Sequence, residues 1–130
     1  MLAQKDWSAA LALEKRMYLR LGEVQELTGE MADAMSRQDR VSFQMFLSMR
    51  QEQINELREI KDLLRKQCRA LPPEDGERLR SVLSGTRRET GEGEPLSAQV
   101  DRTRALLERV LQEDQALSRR MGGKKSFYNG

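Results

Sequence analysis

The sequence predicts an all-α protein: a long antiparallel helical hairpin plus a third long helix, forming a three-helix up-down bundle with a flexible C-terminal tail. Three observations carry this expectation. Apolar residues recur at alternating spacings of four and three through three separate stretches. Charged residues make up 34% of the chain against 38% apolar, a balance that suits helices burying one stripe and solvating the rest. Only six residues are aromatic and β-branched residues are sparse, which argues against sheet. At 130 residues the chain is expected to form a single domain with a modest core.

The first helix is expected over 8–35, with Ser8 as its N-cap. Met17, Leu21, Val24, Thr28, Met31 and Met35 share one face, and Leu13, Leu27 and Ala34 widen it to the breadth of a bundle helix. Gly22 and Gly29 lie on one side of this helix, each costing about 1 kcal/mol relative to Ala. They mark either a close backbone approach or two tolerated surface positions.

Ser36-Arg37-Gln38-Asp39-Arg40 breaks the register, and Ser36 or Asp39 is the expected cap of a second helix over 39–70. Its apolar face runs Phe46, Met49, Gln53, Leu57, Ile60, Leu64 and Cys68, flanked by Phe43, Leu47, Ile54 and Leu71. Arg65, Lys66 and Arg69 complement the dipole of its last turn, and Pro72-Pro73 stops it. Two helices of similar length with a short connection form an antiparallel hairpin, each arm spanning roughly 40–45 Å.

A short helix is expected over 75–84, docking through Leu79, Val82 and Leu83. Segment 85–95 carries no apolar side chain beyond its Pro95 and reads as an exposed, mobile loop. The third helix is expected over 97–121, capped by Ser97, with Leu96, Val100, Thr103, Leu107, Val110, Asp114, Leu117 and Met121 in the four–three rhythm. Leu106 and Leu111 broaden that stripe. Asp114 interrupts it, either as a polar register-setting contact or as a sign that this face is partly open, or, the reading preferred from sequence, as a stripe drifting outward near the helix end. Gly122-Gly123 closes the helix and leaves the tail 122–130.

The composition excludes several chemistries. Without histidine, Ser-His and Cys-His nucleophilic arrangements and the usual zinc sites cannot be built. No glycine loop has the spacing that cradles phosphates. Cys68 is the single cysteine and sits on an apolar stripe, so it reads as a buried small hydrophobe. The chain is therefore read as non-enzymatic, with no cofactor and no metal. A net charge of +2, with acids and bases interspersed, does not concentrate the basic face of a nucleic-acid binder. No apolar run is long enough for a signal peptide or a bilayer span, so membrane insertion is not expected and cytoplasm is the expected location.

What remains is protein binding. Apart from Met1, the methionines lie at 17, 31, 35, 45, 49 and 121, and flexible thioether side chains suit an adaptable surface as well as a core. The tail places Phe127 and Tyr128 after Lys124 and Lys125, where they either dock on the bundle or reach for a partner.

The order of elements, with Asp39, Phe43, Leu47, Arg50, Gln51, Ile54 and Leu57 running into Leu63-Leu64, resembles the FlgN family of flagellar export chaperones, and more loosely the FliT type. The third helix departs from the family, in that Leu106-Leu107 follows Thr103 and Arg104 with no preceding asparagine. The resemblance implies a cytosolic chaperone whose partner is a protein client, a hook-associated protein of the hook-filament junction. Its terminal helices would be held in an apolar groove. Val100, Leu107, Val110, Leu117 and Met121 are the groove residues expected on this reading, with Phe127 and Tyr128 as a clamp. The alternative is a helical adaptor or scaffold that associates with copies of itself, since heptad-like spacing in all three helices can drive homo-oligomerisation.

Overall fold

The computed structural model describes residues 1–122 of the chain. Among them are four α-helices and no strand: α1 (Gln4–Ser36), α2 (Arg40–Ala70), α3 (Pro73–Leu83) and α4 (Glu94–Gly122), with a single 3-10 turn at Gly91–Gly93. At 33 residues, α1 spans about 50 Å.

α1 begins four residues earlier than Ser8. The Asp6 carboxylate accepts the Ala3 backbone N–H at 3.0 Å, which holds the first turn, and Leu2 and Trp7 are 5% exposed. Ser8 is therefore an interior residue of α1, accepting a hydrogen bond from Gln4 Nε2 at 3.2 Å.

The reversal between α1 and α2 is tight. Gln38 takes a positive φ of 57°, the Asp39 N–H donates to the Ala34 carbonyl at 2.8 Å, and the Gln38 N–H donates to Met35 at 3.0 Å. This is a Schellman closure of α1. Asp39 then caps α2, its carboxylate accepting the Ser42 N–H at 3.0 Å and the Ser42 hydroxyl at 2.7 Å. Those two bonds hold the Asp39 carboxyl below its ordinary pKa. Of the two caps the sequence allows, the structure uses Asp39.

Three clusters make up the core, and each joins α1 to α2 or α4 at a different height. The first sets Trp7, Ala10 and Met17 of α1 with Ile60, Leu64 and Cys68 of α2, Leu79 and Val82 of α3, and Leu96 and Val100 of α4. The middle one joins Leu21 and Val24 to Leu106 and Val110, with Ile54 and Leu57 against them. The last joins Met31, Ala34 and Met35 to Phe43, Leu117 and Met121. α1 is the shared element: it packs along both α2 and α4, while the backbones of α2 and α4 stay apart.

α3 crosses the end of α2 at close range. A Cβ at Gly76 would collide with the Cys68 carbonyl oxygen, so this contact needs glycine. Gly22 and Gly29 are different: nothing lies within 4 Å of a Cβ built at either. They are the tolerated surface positions, not a close approach.

Segment 85–95 is exposed at most positions, as its polarity suggests, but it is pinned at Glu89 and Gly93, which are buried. Glu89 is only 8% exposed, and Arg78 donates to both of its carboxylate oxygens, at 2.9 and 2.6 Å. Arg87 adds a third bond at 2.8 Å, and the Glu89 N–H donates to Ser97 Oγ at 2.9 Å. The Arg78 guanidinium also lies 5.6 Å from the Trp7 ring centroid. The segment is thus a strap fastened by charge and hydrogen bonds where apolar anchors are lacking. Because it ends in the turn at Gly91–Gly93, α4 starts at Glu94, ahead of the expected cap Ser97. Ser97 serves the strap instead.

Candidate partner-binding surface

α4 lies on the hairpin along its whole described length, and this decides where its stripe residues stand. Val100, Val110, Leu117 and Met121 are 2, 6, 3 and 1% exposed, packed into the three core clusters. The four–three rhythm marks the face that α4 turns to α1 and α2, so these four side chains form a core seam, and Leu117 also borders a shallow depression of about 230 Å³ between α1 and α4. Leu107 is the exception, 39% exposed. With Leu111, which is 51% exposed, it borders a shallow depression of about 510 Å³ shared with Asp101, Arg104, Ala105 and Glu108. The two expected clamp residues, Phe127 and Tyr128, lie outside the described residues.

The methionines divide in the same way. Met17, Met31, Met35 and Met121 are core residues. Met45 and Met49 are 52 and 43% exposed, and with Val41 at 83% they form a row spaced four residues apart on the outer side of α2. This row is what sequence reasoning missed. It assigned Met49 to the buried stripe, because a stripe drawn at 3.6 residues per turn has no sharp edge. The signal was present: Val41, Met45 and Met49 share one i, i+4 line.

Asp114 is the second departure from expectation. It does not mark a stripe drifting into solvent, because Arg50 Nη1 donates to its Oδ1 at 2.7 Å and to Thr28 Oγ1 at 3.1 Å. Arg50, only 9% exposed, thereby ties α2 to both α1 and α4. Gln53, the polar residue on the α2 stripe, accepts a bond from Arg20 at 3.2 Å. Gln53 and Asp114 are thus both cross-helix contacts.

Cys68 is 1% exposed, and burial pushes its thiol above the ordinary range, partly opposed by the nearby Arg80. A thiol held protonated in an apolar wall is a poor nucleophile. No group of three or more His, Cys, Asp or Glu side chains able to hold a metal occurs among the described residues, and no helix there is long and apolar enough to cross a membrane. No protein family, curated protein or solved structure matches this chain.

Proposed function

We propose that this chain is a three-helix up-down bundle, braced by α3, that works without catalysis by binding an amphipathic helix of another protein. On this reading it is a cytosolic export chaperone for hook-filament junction proteins, as the resemblance to the FlgN type implies. The observation that supports it is an uncovered apolar pair on α4: Leu107 and Leu111, 39 and 51% exposed, border a depression lined by α4 residues. A fourth amphipathic helix laid there would bury those leucines much as a bundle helix buries its stripe.

The test is binding of a purified hook-associated protein, read by calorimetry, to the wild type and to Leu107→Asp with Leu111→Asp. These two positions are exposed, so the pair leaves the core intact, unlike an Asp at Leu117. Loss of binding by about tenfold or more supports the reading. Unchanged binding places the client elsewhere, and no binding by the wild type removes the chaperone reading.

A specific observation favours a second reading, self-association as a scaffold. The row Val41, Met45 and Met49 is apolar, outward and regular, and a two-fold axis through it would pair α2 with α2 of another copy. Light-scattering mass at increasing concentration tests this. A dimer abolished by Met45→Asp selects it, and a monomer at all concentrations rejects it.

A further inference from the structure

One cavity in the bundle carries chemistry that the partner-binding reading does not use. It measures about 410 Å³ and opens between α1, α2 and α3, toward the lower end of the roughly 300–1,000 Å³ typical of small-ligand sites. Its apolar walls are Met17, Leu64, Cys68 and Leu83. Lys61, Arg65 and Arg80 also line it, and of these Arg65 is bound to Asp62 at 2.9 Å. Glu14 lines it as well, although its side chain is nearly sealed from solvent at 4% exposure. One carboxylate oxygen of Glu14, Oε2, is buried with no hydrogen-bond partner.

A buried acceptor left without a donor is costly, on the order of 1–3 kcal/mol, and so asks for an explanation. Thr103 and Lys61 both act on Glu14 in favour of its charged form, yet burial outweighs them and raises its pKa. A ligand that brings a donor to Oε2 would remove the deficit. Turning the terminal carboxylate toward the cavity involves only a soft torsion.

The other walls narrow the ligand class. Sulfur from Met17 and Cys68 makes favourable contacts with aromatic ring edges, and cations at Lys61, Arg65 and Arg80 are attracted to ring faces. The same cations disfavour an amine as the donor. We propose that this cavity binds an aromatic ring carrying one O–H or N–H group, a phenol or an indole, with that group donating to Glu14 Oε2. The site is independent of the helix-binding surface, and its test does not use a protein client.

The full chain is labelled at methionine methyl groups, the Met17 signal is assigned with Met17→Leu, and p-cresol, 3-methylindole and toluene are titrated in turn. Toluene has the ring without the donor. Saturable shifts of the Met17 methyl by p-cresol or 3-methylindole, at affinities about tenfold or more above toluene, are expected. Glu14→Leu should remove that preference, and Glu14→Gln, which keeps an acceptor oxygen, should retain it and guards against a folding defect in the first variant. Equal binding of toluene and p-cresol, or no saturable shift at Met17 with any of the three, overturns the proposal.

Discussion

Arg50 of α2 and Asp114 of α4 meet at 2.7 Å across the only side of the bundle where two long helices keep their backbones apart among the described residues. The same guanidinium nitrogen reaches Thr28 of α1 at 3.1 Å, so one side chain joins all three long helices. Thr28 in turn donates to the Val24 carbonyl at 2.8 Å.

Removing one partner is therefore expected to cost more than removing both. Asp114→Ala leaves a buried guanidinium with Thr28 alone and should lower stability by about 1–2 kcal/mol, toward the small end because Asp114 is itself half exposed. Arg50→Met combined with Asp114→Leu should recover most of that loss. Urea unfolding of Arg50→Met, Asp114→Leu and the double variant checks it. A double variant as unstable as the sum of the singles would show that the pair does not act as a unit.

The two buried glutamates give stability opposite dependences on pH. Arg78, by its hydrogen bonds, and then its charge and that of Arg87, hold the Glu89 carboxyl below the ordinary value of 4.5 in spite of burial. Its stabilising contribution is thus complete above that value and lost as pH falls through the lowered pKa. Glu14 is raised by burial, so the folded state binds the extra proton, and stability falls as pH climbs from 4.5 through the raised value. Thermal melts between about pH 3 and pH 8 should show Glu89→Gln flattening the acid limb and Glu14→Gln flattening the decline above it. At neutral pH, Glu89→Gln should cost about 1–3 kcal/mol, since it removes the charge that Arg78 and Arg87 bind.

Glycines of different surroundings should respond with opposite sign. Gly76→Ala drives a methyl into the Cys68 carbonyl and should destabilise by about 1–3 kcal/mol, loosening α3 from α2. Gly22→Ala and Gly29→Ala meet only open space on a helix and should each stabilise by about 0.5–1 kcal/mol. Denaturation midpoints of the three variants decide the matter, and stabilisation by Gly76→Ala would contradict the packing described.

The turn between α1 and α2 offers a simpler gain. Gln38 sits at φ 57°, where a side chain with a Cβ is disfavoured and glycine is not. Gln38→Gly should raise stability by about 0.5–1 kcal/mol without altering the Asp39 cap. Equilibrium unfolding, with helix content compared by circular dichroism, measures it.

Much of the architecture was legible from apolar spacing. The stripes through Met17 to Met35 and through Phe43 to Cys68 identified the two long helices to within a few residues, because periodic burial leaves a pattern that local sequence carries. The fastening of segment 85–95 was not legible. The segment is held by Glu89 with Arg78 and by Ser97, and such charge-based anchoring resembles solvated surface when read along the chain. The beginning of α1 was misplaced for a related reason: Leu2 and Trp7 find their cover on elements far away in sequence.

The candidate surface shows the same division. Periodicity alone determined which residues of α4 would be apolar on one face, and hence that Val100, Val110, Leu117 and Met121 belong together. Only the tertiary structure decided whether that face would be buried or left open, because burial depends on which neighbour arrives, and a stripe is equally suited to a core or a groove. Packing on α1 took those four into the core and left Leu107, Leu111 and the Val41–Met45–Met49 row outside. It also turned Asp114 from an apparent flaw into a cross-helix contact, since the partner that gives it meaning, Arg50, is 64 residues away in the chain.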